Sequence, residues 1–204
     1  MNKSILTKLG NKIELIDGKG KTLIIGVFHG DEPQGKYLID EYLKTNSEEG
    51  LLFIPCLNPD GLQLGKRTNA NGVDLNRNFP TKNWELTEKN EFFGGMSAGS
   101  EIETRFLIDT INEFKPELIL TLHAPYKVVN YDGPAKEISE KISQIINYPV
   151  EESIGYPTPG SFGTYAGIER QIPAITLELD EVCPVQDLVK PVFQIFDMLK
   201  KRGL

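Results

Sequence analysis

The chain contains two histidines among its 204 residues, His29 and His123. His29 lies three residues before Glu32, so the pair forms a His-x-x-Glu pattern. Neutral imidazole and carboxylate groups are ligands that zinc prefers, and a catalytic zinc site takes three such ligands and leaves a fourth position for water. A His-x-x-Glu pair also arises often by chance, and a lone histidine is more often structural. The pair therefore indicates a metal site only when other signals in the chain agree with it.

A long stretch at 58–99 shows no convincing helix or strand pattern and is rich in Gly, Asn and Pro. Connections of this length are either disordered or functional. The string Gly-Val-Asp-Leu-Asn-Arg-Asn-Phe-Pro at 72–80 favours a function. Within it, Arg77 beside Asn76 offers a guanidinium fork and an amide, which suit the binding of a substrate carboxylate. Asp74 is the type of carboxylate that orients a metal-bound imidazole through a hydrogen bond.

Alternating strand and helix patterns position these groups. His29 and His123 each follow an apolar strand pattern directly, and Glu178 lies near the end of a third. Ligands gather at the carboxyl ends of parallel strands, so we expect these side chains to meet. Ser100 and Glu103 predict a capping box at the start of a helix. The strand patterns lie at 12–16, 22–28, 51–57, 117–122, 127–131 and 174–179, and the helix patterns begin at Pro33 and cover 101–114, 134–147 and 185–200. This alternation predicts an α/β fold with a mixed, mostly parallel central sheet.

Length and charge restrict the domain count and the classes of partner. A chain of 204 residues favours one domain, spanning 1–204. The excess of 29 Asp and Glu over 22 Lys and Arg gives a net charge of −7, which disfavours binding to nucleic acid or an anionic membrane. Two cysteines do not make a disulfide framework, and the N-terminal segment lacks the apolar core of a secretory signal. We therefore expect a cytoplasmic protein, and the sequence does not indicate its oligomeric state.

Taken in order, the motifs resemble the zinc carboxypeptidase family. The resemblance runs from about residue 25 to residue 180 and rests on the His-x-x-Glu pair, Asn-Pro-Asp-Gly at 58–61, the string at 72–80, His123, and Thr-Leu-Glu-Leu at 176–179. Within the family, the chain is most similar to the bacterial branch of murein peptide amidases. That similarity rests on Gly-Gly at 94–95, Ser-Glu-Ile-Glu-Thr-Arg at 100–105 and Tyr-Pro-Thr-Pro-Gly-Ser at 156–161. The resemblance implies a single-domain α/β/α sandwich.

The resemblance also implies a role for each matching residue. It assigns one zinc ion to three ligands, which are His29, Glu32 and His123. Glu178 would be the general base, and its place between leucines on a buried strand is unusual for an acid without a function. Arg67 would polarise the scissile carbonyl, with Lys66 and Asn69 as weaker alternatives for that role. Asn76 and Arg77 would bind the free carboxylate of the substrate. Tyr156, 22 residues before Glu178, matches a mobile tyrosine that contacts substrate.

These roles imply a zinc peptidase or amidase that cuts the bond next to a C-terminal residue with a free carboxylate. The murein branch implies a small cell-wall peptide as substrate, cut between γ-D-glutamate and a diamino acid. Ala124 follows His123, where digestive relatives often have serine, so part of the substrate binding is expected to differ. Two alternatives remain open at this stage. One is an N-acyl amino acid deacylase resembling succinylglutamate desuccinylase or aspartoacylase, and the other is a relative that binds peptides without cutting them.

Overall fold

The computed structural model describes residues 3–152 and 158–201, which form eight strands and five α-helices. The strands are β1 (Lys3–Leu6), β2 (Lys12–Asp17), β3 (Thr22–Gly26), β4 (Leu52–Ile54), β5 (Leu118–His123), β6 (Val128–Asp132), β7 (Val150–Glu151) and β8 (Ala174–Glu178). The α-helices are α1 (Gln34–Thr45), α2 (Pro59–Leu64), α3 (Ile102–Phe114), α4 (Lys136–Ile146) and α5 (Val189–Lys200). Short 3₁₀ turns at Leu75–Arg77 and Val185–Leu188 and a π-helical turn at Thr164–Ile168 complete the described elements.

All eight described strands belong to one sheet, in the order β1-β2-β4-β3-β5-β8-β6-β7. The four central strands β4, β3, β5 and β8 are parallel. Strand β2 pairs antiparallel with β1 and β4, and β6 pairs antiparallel with β8 but parallel with β7. The register between β5 and β8 places His123 directly beside Glu178. The sheet is therefore mixed and mostly parallel, as predicted, and its central strands end where the histidines lie.

Side chains alternate between the two faces of the sheet and form two separate cores. Ile24 and Leu120 pack on one face with the apolar sides of α1, α4 and α5. Leu23, Ile25 and Ile119 pack on the other face with α3 and the loops around it. Because neighbouring residues of a strand point to opposite faces, a fully apolar strand serves both cores. Helices thus cover both faces, which confirms the α/β/α sandwich.

The strand predicted at 22–28 ends earlier, at Gly26, because the next residue leaves the extended conformation. Val27 has φ 56°, a left-handed value that costs a β-branched residue about 1–2 kcal/mol. The Val27 carbonyl accepts a hydrogen bond from the Asn58 backbone N–H at 2.9 Å. This turn directs the chain out of the sheet immediately before His29, so local strain coincides with the predicted metal site.

Two parts of the 58–105 region differ from the sequence-based prediction. The Asn-Pro-Asp-Gly motif begins α2, because Asn58 Oδ1 caps the Gly61 N–H at 2.9 Å and Pro59 suits the first helical position. The prediction of a capping box formed by Ser100 and Glu103 was wrong. Helix α3 begins at Ile102 without a side-chain cap, and Glu103 Oε1 instead accepts from Asn69 Nδ2 at 3.2 Å. The hydrogen bond from Asn69, which is distant in sequence, thus takes the place of the local capping contact.

Neither cysteine forms a disulfide, and the Cys56 thiol is a poor nucleophile because it stays protonated. Cys56 and Cys183 are both free. Burial raises the pKa of Cys56 to about 12, so this thiol stays protonated at neutral pH. Among the residues that the structure describes, no helix is both long enough and apolar enough to span a membrane.

The Asp132 carboxyl group at the end of β6 is partly buried and has no compensating contact among the described residues. Its side chain fills the space above Gly163 and Gly167, and within residues 3–152 and 158–201 it has no hydrogen-bond partner. Burial raises the pKa of Asp132 from an ordinary 3.8 to about 6. The folded state therefore holds the proton more tightly than the unfolded state, and ionisation of Asp132 lowers the stability as the pH rises from about 4 to above 6.

We expect Asp132→Asn to stabilise the fold by about 1–2 kcal/mol at pH 8 and to change little at pH 4. The range is smaller than the full value of a two-unit shift because the side chain is partly exposed to water. Urea unfolding at the two pH values measures the effect, with exposed Asp187→Asn as the control. Equal stability of Asp132→Asn and the unmodified protein at pH 8 would contradict this expectation.

Candidate metal centre and active site

Three side chains converge at the carboxyl end of the sheet. Glu32 Oε1 lies 2.8 Å from His29 Nδ1, and Glu32 Oε2 lies 3.0 Å from His123 Nδ1. The potential ligand atoms of these three residues all lie within 4.8 Å of one another. His29 and Glu32 come from the turn after β3, and His123 is the last residue of β5. Neighbouring parallel strands thus bring together the residues that were predicted to be ligands.

The electrostatics of this group suit a bound cation. Burial would lower the pKa of His29, but Asp74 and Glu32 outweigh that effect and raise it to about 9. The site therefore stabilises positive charge on or beside the His29 ring. Two imidazole nitrogens and one carboxylate form the three-ligand set that zinc takes at catalytic sites, where a fourth position stays open. By charge and by ligand chemistry, His29, Glu32 and His123 fit a zinc ion.

Asp74 links the histidine to an arginine. It is fully buried, and its Oδ1 lies 3.1 Å from His29 Nε2. Its Oδ2 accepts hydrogen bonds from Arg67 Nε at 3.0 Å and from Arg67 Nη2 at 2.9 Å. Burial raises the pKa of Asp74, but His29 and Arg67 lower it by more, so Asp74 stays ionised. One carboxylate thus holds the ring of His29 and the guanidinium of Arg67 in fixed orientations.

Arg67 lies at the edge of the metal group. Its Nη1 is 3.9 Å from Glu32 Oε1, and its guanidinium carbon lies 5.1 Å from the centre of the Phe92 ring. The ring and Asp74 restrict the side chain on two sides, and a cation over an aromatic face is attracted to it. Phe92 was not predicted, although an exposed aromatic residue in a polar loop is a signal that could have identified it.

Asn69 keeps the loop between Arg67 and Asp74 in shape. Its Nδ2 donates to Glu101 Oε2 at 2.8 Å and to Glu103 Oε1 at 3.2 Å. Its Oδ1 accepts the Val73 N–H at 3.1 Å. Asn69 is therefore committed to the loop and to α3 and is not available to polarise a substrate carbonyl. Of the two alternatives to Arg67, this leaves Lys66, whose side chain does not line the cavity that contains His29, Glu32 and His123.

Asn76 and Arg77 occupy a 3₁₀ turn that Asp74 caps through the Asn76 N–H at 2.8 Å. Asn76 Oδ1 accepts the Phe162 N–H at 2.9 Å, and its Nδ2 has no partner among the described residues. Arg77 is largely buried and donates from Nη1 to the Asn76 carbonyl at 2.7 Å. Both side chains line the same cavity as the metal group, and both retain donors for an anion.

Glu178 ends β8 beside His123 in the register of the sheet. It is 8% exposed, and among the described residues its Oε2 has no hydrogen-bond partner. Burial raises the pKa of Glu178, although His123 partly offsets the effect. Glu178 Oε2 therefore meets no donor within the described part of the chain, which leaves this oxygen able to accept a proton.

One cavity of about 810 Å³ connects these groups. The predicted site residues that line it are His29, Glu32, Arg67, Asn76, Arg77, His123 and Glu178. Glu181 and Tyr126 also line it and were not predicted, because each lies in a loop without a recognisable motif. Tyr156 lies outside the described residues. A cavity of this size suits a small peptide.

Comparison with known proteins agrees with this geometry. The chain matches the zinc carboxypeptidase family over residues 7–180. It is 33% identical to murein peptide amidase A of Escherichia coli strain K12 over 192 residues, which cover 87% of this chain and 78% of that protein. It is 34% identical to murein peptide amidase A of Vibrio campbellii over 184 residues, covering 82% and 72%.

Solved structures give the same result. The crystal structure of murein-tripeptide amidase MpaA from Escherichia coli O157 superposes with a TM-score of 0.87 at 29% identity, covering 98% of this chain and 91% of that one. Carboxypeptidase A from Helicoverpa armigera shares the fold, with a TM-score of 0.74 at 17% identity over 100% and 68% of the two chains. The family match includes seven of the eight described strands and all the candidate site residues, so this chain belongs to the zinc carboxypeptidase family and is a zinc-dependent peptide hydrolase.

Proposed function

We propose that this enzyme cleaves the peptide bond before a C-terminal residue with a free carboxylate, and that the bond is the γ-D-glutamyl–diamino acid bond of murein peptides. The observation that carries the proposal is one cavity lined by three potential metal ligands, by a buried carboxylate with one oxygen that has no partner among the described residues, and by two side chains that retain donors for an anion. The likeness to two murein peptide amidases supports the substrate class. We propose His29, Glu32 and His123 as the zinc ligands.

Asn76 and Arg77 bind and orient the substrate. The Arg77 guanidinium pairs with the terminal carboxylate, and the free Asn76 amide donates a further hydrogen bond to it. Asn76 is itself fixed through its Oδ1 by the Phe162 N–H. Arg77 is largely buried, and its partial removal from water strengthens its contact with the carboxylate. A peptide held in this way places its last amide bond toward the metal group.

Arg67 stabilises the negative charge that develops on the scissile carbonyl oxygen. Asp74 holds its Nε and Nη2, and Nη1 remains on the side of Glu32. A donor fixed before the reaction loses no orientational freedom during it, which is why such groups contribute strongly to catalysis. Tyr156 remains a proposed substrate contact on the strength of its spacing from Glu178.

Glu178 moves the proton. Its Oε2 accepts a proton from the attacking water molecule and then delivers it to the nitrogen of the departing amino acid. When bound, zinc supplies Lewis acidity, which lowers the pKa of a coordinated water from about 15.7 toward about 7 and polarises the carbonyl. Burial raises the pKa of Glu178, so its carboxylate is a stronger base than an exposed glutamate.

The test is hydrolysis of L-alanyl-γ-D-glutamyl-meso-diaminopimelate, with release of the diamino acid as the readout. We expect turnover that a zinc chelator removes and that added zinc restores. An N-acyl amino acid such as N-succinylglutamate is the control for deacylase activity. Faster release from the N-acyl amino acid would favour the deacylase, and tight binding of the tripeptide without turnover would favour a non-catalytic protein.

A second test concerns the carboxylate clamp. We expect Arg77→Gln to raise KM at least about thirtyfold while kcat changes little, because loss of a buried charged pair costs about 2 kcal/mol or more and affects bound substrate and transition state alike. Steady-state kinetics on the tripeptide measure the split. A tripeptide with a C-terminal carboxamide lacks the terminal carboxylate, so Arg77→Gln should not raise its KM above the value for the unmodified enzyme. An unchanged KM for the free acid would contradict the role of Arg77.

We also propose that residues 1–204 form one catalytic domain that acts in the cytoplasm. The union of all described strands in one sheet supports a single domain. The two free cysteines are compatible with a reducing compartment. The partner that this site requires is a small peptide with a free carboxylate, and the net charge of −7 disfavours nucleic acid.

A further inference from the structure

A second cavity, of about 450 Å³, adjoins the main one. The two cavities share three lining residues, Asp31, Arg67 and Glu91. We infer that the second cavity is a subsite for the free α-carboxylate of the γ-linked glutamyl residue, and that Lys66 and Lys89 bind this group. The inference rests on the proposed function. It specifies how the enzyme distinguishes a γ-glutamyl substrate from an analogue in which the α-carboxylate is a neutral carboxamide.

The charge of the second cavity differs from that of the boundary. Side chains that line only this cavity include two cations, Lys66 and Lys89, and no acid. Thr68 and Asn90 add neutral donors to the lining, whereas Asn71 Nδ2 already donates to Glu101 Oε2 at 2.7 Å. The two acids that line it, Asp31 and Glu91, also line the main cavity and therefore lie at the boundary. The charged residues that line only the second cavity are thus both cations, within a protein of net charge −7.

Neither lysine is committed to an internal carboxylate. Within residues 3–152 and 158–201, the Lys66 ammonium has no ion pair or hydrogen bond. Lys89 Nζ lies 5.9 Å from the centre of the Phe93 ring and has no carboxylate partner in the same residues. By contrast, Lys36, Lys44 and Lys141 all pair with acids on their own helices. Both lysines are exposed and line the same cavity, so two unpaired ammonium groups are available there for an anionic ligand group.

The chemistry of the substrate directs its carboxylate toward this wall. Arg67 stabilises the scissile carbonyl and lies at the boundary between the cavities, whereas Asn76 and Arg77 line only the main cavity. The C-terminal residue therefore occupies the main cavity, and the residue that supplies the carbonyl extends past Arg67 toward the second. In a γ-linked glutamyl residue, two methylene groups and the α-carbon separate that carbonyl from a free carboxylate. An ordinary α-linked peptide of neutral residues presents no such charge there.

The experiment compares two peptides that differ in this one group. They are L-alanyl-γ-D-glutamyl-meso-diaminopimelate and its γ-D-isoglutaminyl analogue, in which the α-carboxylate is a carboxamide. We expect the unmodified enzyme to favour the acid roughly tenfold in kcat/KM, the combined effect of two partly exposed ion pairs. Lys66→Gln with Lys89→Gln should abolish most of this preference by slowing the acid, while the carboxamide changes less than about twofold. Salt should reduce the preference in the unmodified enzyme.

Lys190→Gln, an exposed lysine on α5, is the matched control and should keep the full preference. A preference that survives in the double variant, or its absence from an unmodified enzyme that cuts both peptides, would overturn the inference and leave the proposed function intact. An unmodified, zinc-loaded enzyme that cuts neither peptide would overturn the proposed function and the inference with it. Thermal unfolding of the double variant checks that the fold is unchanged.

Discussion

Glu178→Gln is expected to lower kcat for peptide hydrolysis by about 10²–10⁴-fold, while the protein still binds one zinc ion. The amide has nearly the shape of the carboxylate but accepts no proton, so the step that Glu178 Oε2 performs is lost. Oε2 has no hydrogen-bond partner among the described residues, and the side-chain oxygen of glutamine can still accept the Tyr126 N–H, so the replacement disturbs few internal contacts. We therefore expect KM to change far less than kcat.

The measurement combines steady-state kinetics on the murein tripeptide with the zinc content of the purified protein. Glu140→Gln, which removes an exposed acid on α4, is the control for the change in net charge and should retain full activity. A Glu178→Gln protein that retains both zinc and full hydrolysis would exclude Glu178 as the proton carrier. Loss of zinc together with activity would also count against the proposed role, since Glu178 would then be needed for metal binding.

His123→Asn is expected to lower zinc affinity by at least about a hundredfold and hydrolysis on the order of a thousandfold. The chain has two histidines in all, so no third imidazole can replace the lost ligand. Asparagine keeps a polar side chain of moderate size in a position where the His123 ring lies 5.3 Å from the Phe28 ring. It therefore avoids much of the cavity that alanine would create there.

Zinc titration against a competing chelator measures the affinity, and thermal unfolding without metal checks the fold. His29→Asn should show the same loss of affinity, because both imidazoles contact the same carboxylate, Glu32. Tyr148→Phe, which removes a hydroxyl that accepts the Asp180 N–H, is a control outside the metal group. Retention of one tightly bound zinc ion in His123→Asn would exclude His123 as a ligand.

The sequence was sufficient to predict six of the eight described strands, most of the helices and the grouping of His29, Glu32 and His123, whereas β1 and β7 were not predicted. Apolar runs at 22–28 and 117–122 are long enough to indicate buried strands, and parallel strands bring their carboxyl ends to one edge. His29 and Glu32 lie within one turn after β3. His123 lies at the carboxyl end of β5, which is the parallel neighbour of β3. These are local or periodic signals, and a pattern of residue types encodes them.

The tertiary structure alone decided which contacts hold the site in place. The His29–Asp74 contact joins residues 45 apart, and the bond from Asn69 to Glu103 joins residues 34 apart. Glu103 matched a capping box, but burial beside Asn69 gave it a different partner. No local pattern specifies such a choice, because competing partners become available only when the chain has folded and water has left the interior.

The same reason explains what the sequence could and could not determine about function. Residue types and their order determined the chemistry available. This consists of two imidazoles and a carboxylate that suit zinc, an acid that we propose for proton transfer, and an arginine beside an asparagine that we propose as the binding site for a carboxylate. Folding decided that Glu178 Oε2 would be buried without a partner among the described residues and that Lys66 and Lys89 would line one cavity with Arg67. Burial and proximity set the pKa, the charge and the accessibility of a side chain, and both are properties of the packed chain rather than of its residue order.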